Sequence, residues 1–160
     1  MFKTADLSDQ YSDEIAILPQ KFNLYGKNKH FCGNIRTVSC YEDNSFVKSI
    51  LDENGKGMVL VVDGKASMNC ALLGDMLADK AQKNEWSGII VNGCIRDSEI
   101  ISNIPLGVCA LSTHPLKSVK KNIGEKDIEI NLFDTIFVPG DFIYVDSDGI
   151  LLSKFDLLAK

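Results

Sequence analysis

Apolar positions recur along this chain in two rhythms, one of strands and one of helices, and their succession predicts an α/β domain. From Met58 to Val62 the run is continuously apolar and ends at Asp63-Gly64, the pattern of a strand buried on both faces that runs into a turn. Gly74 and Asp75 then open a helical pattern with Leu77, Ala78 and Ala81 on one face, and Gly88 to Val91 is a second compact β-type run. Together these form a β–turn–α–turn–β unit of about thirty residues, whose strands are expected to be parallel and joined by a right-handed crossover. Asn92-Gly93 reads as a turn that reverses or loosens the chain just before Cys94-Ile95-Arg96-Asp97.

On the N-terminal side, Thr4 is placed to cap a short helix through Leu7, and the apolar stretch Ile15 to Leu18 ends at Pro19. Phe22 to Phe31 is a connector rich in Gly, Asn and Lys, with His30 as a loop residue. Ile35 to Tyr41 follows strand period, and Asp43-Asn44 caps a helix with Phe46, Val47, Ile50 and Leu51 on one face, broken by Asn54-Gly55. Beyond Asp97, Ser98 to Ile101 makes one helical turn, and Val108 to Leu111 is a further buried strand. His114-Pro115 lies in a turn, where His114 is a secondary candidate for proton transfer. Lys117 to Lys126 reads as a solvated loop, because no aromatics are interleaved among its lysines for base stacking. The tail is β-rich over 128–132, 135–138, 141–145 and 150–152, with a last helical turn from Phe155 to Leu158. Asp146 to Gly149 begins like a calcium loop but lacks its closing glutamate, so it reads as a hairpin turn. With no repeat or linker, residues 1–160 are expected to form a single domain.

Composition narrows the partners. An apolar content of 45% with 24% charged residues is that of a globular chain, and a net charge of −5 argues against a nucleic-acid duplex or an anionic membrane as partner. No apolar run reaches the roughly 18 residues of a membrane span, and MFKTADLSD has no signal-peptide core, so a cytoplasmic protein is expected. The cysteines (Cys32, Cys40, Cys70, Cys94, Cys109) are odd in number and without C-x-x-C, which predicts reduced, half-buried thiols. There is no dinucleotide-binding G-x-G-x-x-G, no P-loop and no nucleophile elbow.

Candidate chemistry gathers between Gly74 and Asp97. If Gly74 is the helix boundary, the amides of Asp75, Met76 and Leu77 point outward at the positive end of a helix dipole, a seat for a carboxylate or phosphate; the alternative is that Gly74 merely allows close packing. Of 17 basic residues only Arg36 and Arg96 are arginine. A forked, planar donor binds a carboxylate through two parallel hydrogen bonds that an ammonium cannot copy, so Arg96 is either such a ligand-binding fork or half of a surface pair with Asp97 or Glu99. Asp97 is a hard oxygen donor of the kind magnesium and manganese take.

These residues also carry a resemblance. VLVVDG at 59–64, ALLGD at 71–75, GIIVNGCIRD at 88–97, THPLKSVKK at 113–121 and VPGDFIYVDSDGI at 138–150 closely resemble the RraA-like family, with TADLSD at 4–9 and YEDNSFVK at 41–48 extending the match over essentially the whole chain. That family includes regulators of ribonuclease E activity and metal-dependent 4-hydroxy-4-methyl-2-oxoglutarate aldolases. The resemblance implies a compact α/β domain with a β/β/α, swivelling-domain-like core, assembled as a ring-shaped homotrimer with clefts near the subunit boundaries. It implies cleavage or decarboxylation of 2-oxo acids through a pyruvate enolate. Carried onto this chain, the Gly74, Asp75, Met76 and Leu77 backbone and Arg96 would hold the pyruvyl carboxylate and keto oxygen, Asp97 a divalent cation (Mg2+ or Mn2+), and Asp75 a metal-bound water. One departure stands out: active aldolases of the family carry an acidic residue three places after the Arg-Asp aspartate, and here that position is Ile100. Oxaloacetate decarboxylation is therefore expected ahead of full aldol cleavage. The alternative is a non-catalytic regulator that binds ribonuclease E or its helicase partners.

Overall fold

The computed structural model describes residues 1–19 and 21–159. In chain order the elements are α1 (Thr4–Tyr11), β1 (Ile15–Ile17), β2 (Asn23–Leu24), β3 (Phe31–Ser39), α2 (Ser45–Leu51), β4 (Met58–Asp63), β5 (Ala71–Leu73) and α3 (Asp75–Lys83). They continue with β6 (Gly88–Ile95), α4 (Ser98–Ile101), β7 (Gly107–Thr113), β8 (Glu125–Lys126), β9 (Ile130–Leu132), β10 (Thr135–Phe137), β11 (Phe142–Val145) and β12 (Ile150–Ser153).

One mixed sheet organises the chain, in the order β1-β12-β11-β3-β4-β6-β7-β2, with β5 added to β6 and β8 to β3. Its centre, β3-β4-β6-β7, is parallel, and its flanks are antiparallel. Parallel strands are buried on both faces, and the apolar run of β4 shows why it needs no polar alternation. Leu60 and Val62 pack on one side with Val47, Ile50 and Leu51 of α2 and Ala78 and Ala81 of α3. Val59 and Val61 pack on the other with Phe31, Ile35, Phe137 and Ile143. Phe31 lies across Gly88 and Gly107, register partners on β6 and β7, where an added Cβ would come within 2.3 and 2.1 Å of its ring.

Several expectations change. Asn92-Gly93 is not a turn: β6 continues through it to Ile95, with a register shift between Val91 and Cys94. The chain loosens there without reversing, because the buried Asn92 side chain donates to Asp63 Oδ1 at 3.1 Å and stays in the sheet. Thr4 lies inside α1 and does not cap it; its amide and hydroxyl donate to Asp146 instead, at 2.7 and 2.6 Å. Residues 155–158 form bends and turns without a helix. Strand β3 starts at Phe31, four residues before the alternation becomes regular, and β5 is too short to show any period. The cysteines are free, and burial pushes Cys40 and Cys109 up to about 12, which leaves both as inert core thiols.

Candidate functional site

The site follows from strand register. β5 runs parallel to β6, and Leu73 is the partner of Ile95, so the two strands end side by side. The next residues are Gly74, which starts α3, and Arg96, whose amide donates to the Leu73 carbonyl at 2.9 Å. Carboxyl ends of adjacent parallel strands are where open α/β sheets place their ligands. Asp97 adopts a left-handed conformation (φ +57°), which an aspartate tolerates, and this turn starts α4 while directing the carboxylate back toward α3.

On the other edge of β5 lies the segment after His114. The Ala71 amide donates to the Leu116 carbonyl at 2.7 Å, and Ala71 pairs with Lys117. This segment is stapled to the start of α2 by buried polar groups. Asp43 accepts from the Ser45 amide and hydroxyl and from the Lys121 and Ile123 amides, while Asn44 and Ser118 bond each other and Asn44 reaches the Leu72 carbonyl. Burial alone would raise the Asp43 carboxyl, but these donors outweigh it and hold it down to about 2.

Between these walls is a cleft of about 290 Å³ lined by Gly74, Asp75, Met76, Leu77 and Arg96, together with Asn44, Lys48, Ala71, Leu73, Lys80, Lys117, Ser118 and Lys120. Five of the six candidate residues therefore share one cavity. Asp97 sits at its rim, its Oδ2 accepting from the Asp75 amide at 3.1 Å and lying 3.9 Å from Arg96 Nε. The helix-start donors are thus not all open: Asp97 takes the Asp75 amide, and Asp75 Oδ1 takes that of Met76 at 2.9 Å, as a helix N-terminus requires. The lysine loop also differs from its solvated reading, since Lys117 and Lys120 line the cleft. His114 does not; its Nδ1 accepts from the Leu116 amide at 3.1 Å and shapes the turn.

The two arginines separate cleanly. Arg36 binds Asp127 through two hydrogen bonds of 3.0 and 2.8 Å and Glu53 through a third of 2.8 Å, so its fork is closed by the protein itself. Arg96 has one long contact, to the Pro115 carbonyl at 3.5 Å, and no carboxylate closer than Asp97. Its fork is open toward the cleft.

The donor set suits a hard cation. An added Cβ at Gly74 would stand 2.9 Å from Asp97 Oδ2 and 3.4 Å from Arg96 Nε, so the glycine keeps a space beside that carboxylate. No three His, Cys, Asp or Glu residues converge among the described residues, so a cation beside Asp97 would take water at most of its positions, an arrangement magnesium accepts.

A family model described as Aldolase/RraA, of the RraA-like family, matches residues 4–152. The chain belongs to the RraA-like family. A relative from Aromatoleum aromaticum, named "Putative 4-hydroxy-4-methyl-2-oxoglutarate aldolase", is 50% identical over 157 residues, spanning 98% of this RraA-like chain and 99% of its own. A solved structure described as S-adenosylmethionine: 2-dimethylmenaquinone methyltransferase, from Geobacillus kaustophilus, superposes with a TM-score of 0.97 at 44% identity over 99% of both chains. The RNA-processing inhibitor RraA from Thermus thermophilis superposes with a TM-score of 0.95 at 38% identity, over 100% of this chain and 98% of that one. The RraA-like fold expected from the motifs is thus the fold observed.

Proposed function

We propose that this protein is a divalent-metal-dependent lyase acting on 2-oxo acids, in keeping with the name of its 50%-identical relative. The observation that carries the reading is the open guanidinium of Arg96 beside the start of α3, in a chain whose other arginine is fully paired. Arg96 and the Gly74–Leu77 backbone hold the carboxylate and keto oxygen of the pyruvyl unit, the Asp75 and Met76 amides becoming available as the Asp97 and Asp75 carboxylates turn away from them. Asp97 would hold Mg2+ or Mn2+, and the cation would supply Lewis acidity to the keto group. The Arg96 charge stabilises the same oxygen as the bond between C3 and C4 breaks, and Asp75, on the cleft wall, positions a water that returns the proton to C3.

Retro-aldol cleavage also needs a base for the C4 hydroxyl. Ile100, 53% exposed, offers only hydrocarbon where active aldolases have an acid, so decarboxylation of oxaloacetate is the favoured reaction. The reading includes a cytoplasmic homotrimer with clefts near its subunit boundaries. In keeping with that, Leu116 and Val119, which flank the cleft lysines, expose 58% and 64% of their surface. A methyl-transfer reading has no glycine-rich cofactor loop to stand on.

The test is oxaloacetate decay with magnesium, with and without EDTA, for the parent and Arg96→Ala. Decay that neither EDTA nor the substitution slows removes the proposal. A second reading, a protein-binding regulator of ribonuclease E, draws on the name of the Thermus relative and on the acidic net charge. Pull-down against the endoribonuclease and its helicase partners at micromolar concentration decides it, and no association would remove it.

A further inference from the structure

We infer that the cleft contains a second anion subsite, formed by Lys48, Lys117 and Lys120, that selects 2-oxo acids carrying a second carboxylate. This rests on the lyase reading and adds a specificity determinant to it.

Five cations line the cleft (Lys48, Lys80, Arg96, Lys117 and Lys120) against a single lining carboxylate, Asp75, in a chain whose net charge is −5. Lys80 is neutralised by Asp52 at 2.7 Å. No carboxylate lies within ion-pair distance of Lys48, Lys117 or Lys120 among the described residues. Three like charges gathered in one concavity repel one another, and an anion from outside relieves that repulsion.

The lysines also enter the cleft from elements other than the one that carries Arg96. Arg96 follows β6 on one edge of β5, whereas Lys117 is bridged to Ala71 on the other edge and Lys48 comes from α2. A ligand with an anionic group at each end can therefore meet Arg96 with one and the lysines with the other. The backbone around Lys117 and Lys120 is held by Asp43 and by the Asn44–Ser118 pair, so less ordering is needed when the ligand arrives. Ammonium groups bind as point charges, without the fork that matches one planar group, which suits a distal carboxylate whose distance from the keto group varies.

The experiment is isothermal titration of the whole protein, with magnesium present, using ligands that are not cleaved. These are 2-oxobutyrate, 2-oxoglutarate, and an analogue of 2-oxoglutarate with a phosphonate at the distal position. The parent should bind 2-oxoglutarate about tenfold more tightly than 2-oxobutyrate, the sum of a few exposed lysine contacts. Lys117→Met/Lys120→Met, and separately Lys48→Met, should lose most of that preference while 2-oxobutyrate affinity stays within about twofold. All three lysines are exposed, so these variants keep the fold. Equal affinities in the parent, or a preference that survives in the variants, would overturn the subsite while leaving the lyase reading intact. A phosphonate bound more than about tenfold tighter than 2-oxoglutarate would reassign the lysines to phosphate. If neither oxo acid binds, the lyase reading fails and the subsite with it.

Discussion

The staple at Asp43 gives the sharpest quantitative expectation. The residue is 3% exposed, and its carboxylate accepts from the Ser45 amide at 2.9 Å, the Ser45 hydroxyl at 2.5 Å, the Lys121 amide at 2.9 Å and the Ile123 amide at 3.1 Å. Asp43→Asn keeps the shape but turns an NH2 toward donors that need an acceptor, so at least one buried amide loses its partner at about 1–3 kcal/mol, with charge assistance lost at the others. A total of about 3 kcal/mol corresponds to a fall of roughly 6–12 °C in Tm for a domain of this size. The pH dependence is the stricter check. Desolvation raises the Asp43 carboxyl and its donors lower it further, from the ordinary 3.8 to about 2, so the charged form contributes about 2.5 kcal/mol to folding. Because the folded value lies below the unfolded one, that contribution is complete above about pH 5 and is lost as pH falls through about 2. The stability gap between parent and Asp43→Asn, measured by urea unfolding at several pH values, should narrow over that window. A gap constant from pH 6 to pH 2, or a Tm unchanged within about 2 °C, would refute the reasoning.

Three further outcomes are expected. Arg96→Lys should weaken magnesium-dependent binding of oxalate, which mimics the pyruvyl head, by roughly 10–100-fold in calorimetry with little change in Tm, whereas Arg36→Lys should lower stability by about 1 kcal/mol and leave oxalate binding alone. Gly74→Ala keeps an allowed backbone (φ −127°) but pushes on Asp97 Oδ2, so manganese affinity followed by electron paramagnetic resonance should fall while circular dichroism is unchanged. Gly88→Ala drives a methyl into the Phe31 ring and should destabilise by about 1–3 kcal/mol in urea unfolding, with ligand affinity retained.

How much of this could be read from residues alone varies by element. The βαβ unit from Met58 to Val91 was legible because burial on both strand faces and on one helix face writes two distinct periods. Asn92-Gly93 misleads because a buried side-chain partner, Asp63, outweighs local turn preference. Gly74, Asp75, Met76, Leu77 and Arg96 could be nominated from glycine placement and arginine scarcity. That Arg36 rather than Arg96 is the structural one depends on Asp127, 91 positions away. The cleft lysines were hidden for the same kind of reason. A lysine-rich segment looks solvated until Asp43, 78 positions earlier than Lys121, fixes its backbone against α2.

The hydrogen bond from the Asp75 amide to Asp97 has a thermodynamic corollary. An incoming anion and an internal carboxylate contend for one donor, so occupancy at the helix tip and rotameric freedom of the aspartate are a single equilibrium viewed from two ends. Whatever draws Asp97 off that amide makes room for a guest anion, and a guest that settles there releases Asp97 by the same factor.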